Sequence, residues 1–176
     1  MLDRPEFSAA KARSPLEEVV EQTERVAQIC DLLEAMADDL PRRSVPVWRT
    51  ATRMCHEVVA LHYKFILVSL MPILKRRMKG EVDCEDMLTQ LEADFKDESG
   101  RLAELNVLLS DAVGEDTEKI GSEALGYALR CFFGSIRRNT VWESEVLLPM
   151  AMRRLTPKDL DELAVSLQSS KEKYLH

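Results

Sequence analysis

Histidine is scarce in this chain: 3 among 176 residues, one of them the terminal His176. That count argues against any site that needs several imidazoles, and it leaves no complete Ser/His/Asp or Cys/His triad. With 6 Gly and 7 Pro, the chain has too few turn formers for an all-β or loop-rich fold. No Gly-rich loop is present to cradle a phosphate. Lys and Arg number 24 against 31 Asp and Glu, a net charge of −7, so nucleic acid is not the expected partner. The first residues, Met1-Leu2-Asp3-Arg4-Pro5-Glu6, lack the apolar core of a signal peptide. The most apolar stretch, Val58 to Leu74, is interrupted by His62 and Lys64 and by Pro72, and reads as too polar for a membrane span. Cys30, Cys55, Cys84 and Cys131 lie far apart with no CxxC pair. Free thiols in a cytoplasmic protein are the expectation.

What is present is hydrophobic residue in helical rhythm. Apolar residues make up 45% of the chain, and no stretch alternates with the two-residue period of a strand. Residues 1–13 read as a flexible N-terminal arm ahead of one helical domain, 14–176. The first helix opens at Ser14, with Pro15 in its first turn and Glu17 completing a capping box, and ends near Leu40-Pro41. The second covers roughly 47–79, with a kink expected at Pro72 and a stop at Gly80. Asp83 and Asp86 open the third, which ends near Val113-Gly114. Ser122 and Glu123 open the fourth, which kinks at Pro149 and ends near Leu155. Thr156-Pro157-Lys158-Asp159 repeats the capping signature and starts a fifth. The expected fold is all-α, an up-down-up-down four-helix bundle with an additional C-terminal helix.

Each long helix carries an apolar stripe at three- and four-residue spacing. The first has Val19, Thr23, Val26, Cys30, Leu33 and Ala37. The second has Cys55, Val59, His62, Ile66, Ser69 and Ile73. The third has Leu88, Leu91, Phe95, Glu98, Leu102, Leu105 and Leu109. The fourth has Leu125, Leu129, Phe132, Ile136, Asn139, Glu143, Val146 and Met150. Thr23, His62, Asn139 and Glu143 are polar residues on these stripes. Burying such groups unpaired costs a few kcal/mol each, so they are expected to meet one another, water or a ligand.

Four fragments in order then resemble one family. Cys30-Asp31-Leu32-Leu33-Glu34-Ala35-Met36-Ala37-Asp38-Asp39-Leu40-Pro41 is followed by Leu61-His62-Tyr63 and Leu70-Met71-Pro72-Ile73-Leu74. Trp142-Glu143 then precedes Leu147-Leu148-Pro149-Met150-Ala151 and Arg154-Leu155-Thr156. Over about residues 16–168 the chain resembles the hemerythrin-like (HHE cation-binding) bundles, in the bacterial branch with a fifth helix. The resemblance implies inward histidines and carboxylates that hold a pair of iron ions. Carried over position by position, most of that set is missing. The former ligand positions hold Thr23, His62, Ile66, Phe95, Ser99, Asn139 and Glu143, and Leu67 beside Ile66 is also apolar.

The expectation is therefore a degenerate member without catalytic residues or a cofactor, acting as a regulatory or protein-interaction module. A protein partner or a homodimer is expected, and neither nucleic acid nor membrane. Leu16, Val20 and Tyr63 are candidate outward contacts for a partner or homodimer, or else cover the fifth helix, and the basic run Lys75-Arg76-Arg77-Met78-Lys79 is a solvated helix end or a docking patch for an acidic partner. The alternative is a metal-, gas- or redox-responsive protein that holds iron or another divalent metal through His62, Glu143, Glu98 and Asp94. Cys84, at a helix start, is the candidate redox thiol, although Asp83, Glu85 and Asp86 oppose a thiolate there. Cys30, Cys55 and Cys131 fall on or beside the stripes, and His56 with Glu57 reads as surface.

Overall fold

In the computed structural model, which describes residues 14–113 and 121–172, every element is a helix and no strand occurs among the described residues. The arm at 1–13 and His176 lie outside them. Helix α1, Pro15–Asp38, opens as its sequence requires: Glu17 Oε2 accepts the Ser14 N–H at 3.0 Å. Pro15 spends no hydrogen bond there, because the first helical N–H groups have no partner within the helix.

Helix α2, Val45–Arg77, begins slightly earlier than the pattern indicates, with Pro46 in its first turn. It is not uniformly α. Cys55–Val59 and Ile66–Leu70 are wide π turns, in which the Ala60 N–H reaches the Cys55 carbonyl and the Met71 N–H reaches that of Ile66. The second lies immediately before Pro72. A proline has no N–H and its ring meets the carbonyl four residues back, so one extra residue in the preceding turn accommodates it.

Helix α3 is Val82–Val113. Gly80, at φ +93°, makes the reversal between α2 and α3, a conformation that L side chains rarely adopt. Helix α4 spans 122–154 and repeats the device of α2: a wide turn at Glu143–Leu147, closed by the Leu148 N–H on the Glu143 carbonyl, stands just before Pro149. Both prolines are thus taken up by π turns. Helix α5 is Pro157–Glu172, and its reciprocal cap joins Thr156 N–H to Asp159 Oδ2 at 2.8 Å and Asp159 N–H to Thr156 Oγ1 at 3.4 Å.

Side-chain pairings fix the direction of neighbouring helices. Thr23 meets Glu143, while Asp31 and Glu34 meet Arg137 and Asp38 meets Arg130, so α1 and α4 run antiparallel. Tyr63 packs on Phe95 and Lys75 binds Glu92, so α2 and α3 also run antiparallel. The apolar stripes face inward almost in full; Ser69, Val146 and Met150 are only partly covered.

By length and composition α2 is apolar enough to cross a membrane, with mean hydropathy 1.6 over its most apolar window, contrary to the reading of Val58–Leu74 as too polar. Half of that window is buried within this fold, because α2 is a core helix. The basic end of α2 is solvated, with Arg76, Arg77 and Lys79 exposed, and it is also occupied by partners from this chain. Arg76 and Arg77 clamp Asp159 of α5, with Arg77 Nε to Oδ2 at 2.7 Å and Arg76 Nη2 to Oδ1 at 2.9 Å. Lys75 is engaged by Glu92. The Arg77 guanidinium, aided by the Thr156 cap and Arg76, holds the Asp159 carboxyl well below the usual carboxylate range. Leu16 and Tyr63 are likewise not outward contacts: both are buried in the core, and Val20 is half-buried. Tyr63 faces inward beside His62 because it stands four residues after Val59 and three before Ile66, both buried.

Candidate functional site

Three helices bring their polar stripe residues to one point. Glu143 opens the π turn of α4 and is wholly buried, at 0% exposure, and His62 of α2 is 1% exposed. His62 Nε2 lies 2.9 Å from Glu143 Oε2. The other carboxylate oxygen, Oε1, lies 2.9 Å from Thr23 Oγ1 of α1, and that hydroxyl is also 2.9 Å from the Val19 carbonyl. His62 Nδ1 faces Gln22 Oε1 at 3.5 Å, while Gln22 Nε2 donates to Glu18 Oε1 at 3.5 Å. That second contact orients the amide, so Gln22 presents its oxygen to the ring and His62 Nδ1 is the donor.

Thr23, His62 and Glu143 thus find their partners within the chain. This is the condition under which buried polar groups are tolerated, since an isolated buried charge costs several kcal/mol. Gln22 is the member that sequence reasoning missed. It flanks the apolar stripe, and its one signal is a position one turn from Glu18.

A second polar group lies between α3 and α4. Glu98, 2% exposed, accepts a short hydrogen bond from Ser135, and Ser135 Oγ accepts from Arg101 Nη1 at 3.2 Å and Arg138 Nη2 at 3.3 Å. Burial pushes the Glu98 carboxyl above the usual range, against the opposing pull of Ser135, Arg101 and Arg138. This group is incompletely satisfied. Glu98 Oε1, Asn139 Nδ2 and Tyr63 Oη are buried and have no hydrogen-bond partner. The three are neighbours: the Glu98 charge helps burial to push the Tyr63 phenol well up, while the Asn139 amide beside it pulls the other way.

The remaining ligand positions are apolar or point elsewhere. Ile66 and Phe95 are buried at 0% and 1% exposure, and the Phe95 ring stands edge-on to Tyr63 with centroids 5.5 Å apart. Ser99 is exposed, which corrects its assignment to an inward position. The residue that turns inward after Phe95 is Glu98, because buried positions on α3 run 91, 95, 98, 102.

These donors do not fit a pair of iron ions. Ile66 and Phe95 offer no donor atom, His62 is the sole buried imidazole among the described residues, and no three His, Cys, Asp or Glu side chains among them converge. Glu98 is turned to Ser135, and Asp94 accepts from Gln90 at 2.9 Å.

The thiols divide by depth. Cys30 and Cys55 are buried, and desolvation pushes both up to about 12. Cys131 is exposed, contrary to its placement beside the seam. Cys84 is half-buried, with its Sγ 3.7 Å from Glu81 Oε2, an anion that opposes a thiolate. His56 and Glu57 are exposed, as expected.

No family model, curated protein or solved structure matches this chain.

Proposed function

We propose that the chain is a degenerate hemerythrin-like four-helix bundle, with α5 as its additional C-terminal helix, that serves as a non-catalytic regulatory or protein-interaction module. One observation carries the reading. At the meeting point of α1, α2 and α4, where the resembling family places metal ligands, Thr23, His62 and Glu143 satisfy one another, with His62 and Glu143 2.9 Å apart. Ile66 and Phe95 supply apolar packing to the same interior. A hydrogen-bonded cross-link of this kind ties three helices without an ion.

The outer surface supports a role in contact. Val141, Trp142 and Met152 of α4 are exposed, at 59%, 48% and 59%. Beside them a groove of about 420 Å³ runs between α1 and α4, with Val20, Ala27, Leu148 and Pro149 in its walls.

The test is metal analysis of purified protein, repeated on His62→Ala and Glu143→Ala. The expected result is no stoichiometric iron, zinc or manganese in any of the three. Stoichiometric metal that disappears in both variants would overturn the proposal in favour of altered metal ligation.

A further inference from the structure

Helix α5 packs on both α1 and α2, and its register along α2 is fixed at two points. Asp159 meets Arg76 and Arg77, and Ser166 hydrogen-bonds Ser69. From Asp159 to Ser166 is one heptad forward on α5, and from Arg76 to Ser69 is one heptad back on α2. The two helices therefore run antiparallel and in step. One further heptad brings position 173 level with His62 and position 174 level with Leu61.

The inner face of α5 leads to the same place. Asp159, Leu163 and Leu167 are buried and Ser166 is half-buried. Continued at three- and four-residue spacing, this face next falls at positions 170 and 174. The second of these is a tyrosine, in the run Lys173-Tyr174-Leu175-His176 that follows α5 and lies outside the described residues.

Level with that run is a groove of about 410 Å³ between α1 and α2. Half-buried Val58 and Leu61 of α2 give it an apolar lining, and Glu57 of α2 with Glu18 and Glu21 of α1 give it carboxylates. Arg25, paired with Glu21 at 2.7 Å, is the one cation among its described lining residues. The groove is therefore acidic on balance and apolar in part, and the run that reaches it sets a lysine beside an aromatic ring.

We propose that this groove is the docking site of the chain's own segment Lys173–His176, with the Tyr174 ring on Val58 and Leu61 and the Lys173 ammonium among the Glu18, Glu21 and Glu57 carboxylates. A tyrosine removes about 150–250 Å² from water when buried, and a segment joined to α5 meets the groove at high effective concentration. Seated there, it covers Gln22, the groove residue that faces His62 Nδ1 at 3.5 Å. It also competes with any partner drawn to the same surface. The seat uses α1, α2 and α5 alone, so it stands whether or not the bundle holds a metal.

The full-length protein with labelled Leu and Val methyls provides the test. Tyr174 is one of three tyrosines, and Tyr174→Phe assigns its ring signals. Nuclear Overhauser contacts are expected from the Tyr174 ring to the methyls of Leu61 or Val58. Tyr174→Ala should speed amide exchange over Gln168–Glu172 at least about tenfold, whereas Tyr174→Phe, which keeps the ring, should stay within about twofold of wild type. Absence of those ring-to-methyl contacts would overturn the proposal, as would unchanged exchange in Tyr174→Ala. In a mixture of labelled and unlabelled chains, the same contacts seen between copies would assign the groove to a second molecule and overturn it too.

Discussion

The polar interior of this protein has two centres that solve the same problem differently. At Thr23, His62 and Glu143, each carboxylate oxygen has a partner. At Glu98, Asn139 and Tyr63, one atom of each residue is left without a partner. Both centres cost desolvation, and the first recovers it within the chain. The difference is one of cost: a closed network returns the desolvation of its members as hydrogen bonds, whereas an incomplete one leaves part of that cost in the folded state.

Phe95 packs edge-on against Tyr63 of the second centre, and its removal should have the largest effect. Phe95→Ala opens a cavity beside Tyr63 and should cost about 3–5 kcal/mol in chemical denaturation. A loss under about 1 kcal/mol would mean that the ring does not fill the space between the helices.

The next effect is opposite in sign. Burial raises the Glu98 carboxyl against the pull of Ser135, Arg101 and Arg138, and with Asp97 adding to the rise. The folded state therefore binds the Glu98 proton more tightly than the unfolded state. The resulting stability is present at low pH and is lost as pH rises above the ordinary value of 4.5 through the folded one. Glu98→Gln should remove this decline, so the stability difference between variant and wild type should widen in favour of the variant from acid to neutral pH. A difference that does not vary with pH would place Glu98 in contact with water.

A smaller effect concerns the attachment of α5. Thr156→Ala removes a helix cap and should cost about 1 kcal/mol. Asp159, held low by Arg77, contributes in the other direction from Glu98: its stabilisation is present above the ordinary value of 3.8 and is lost as pH falls below it. The smallest effect is expected at Arg25, whose exposed pair with Glu21 sits one turn away on α1 at 2.7 Å. Arg25→Ala should change stability by no more than about 0.5 kcal/mol, since such pairs are screened and mobile.

Much of the helical layout is legible in the residues themselves. Ser14-Pro15 with Glu17 and Thr156-Pro157 with Asp159 announce helix starts, and nearly every position on the apolar stripes is buried. His62 and Glu143 are legible for the same reason, as polar residues on an apolar stripe. The misreadings have separate causes. Tyr63 lies four residues after Val59 and three before Ile66, so it borders the inward stripe of α2 and is buried. On α3 the stripe already contains Glu98, whereas Ser99 comes only from the positional resemblance and is exposed. Pro72 and Pro149 are the visible trace of two wide turns, six residues after Ile66 and Glu143. The clamp of Arg76 and Arg77 on Asp159 joins residues over 80 positions apart and leaves no local pattern.

The central claim is that His62 and Glu143 satisfy each other, and a double-mutant cycle tests it most directly. His62→Phe and Glu143→Leu are measured singly and together by chemical denaturation. Each single change strands a buried polar partner and should cost about 3–5 kcal/mol, whereas removal of both with apolar groups should cost far less than the sum. A double variant whose loss equals the sum of the single losses, within about 0.5 kcal/mol, would contradict the account.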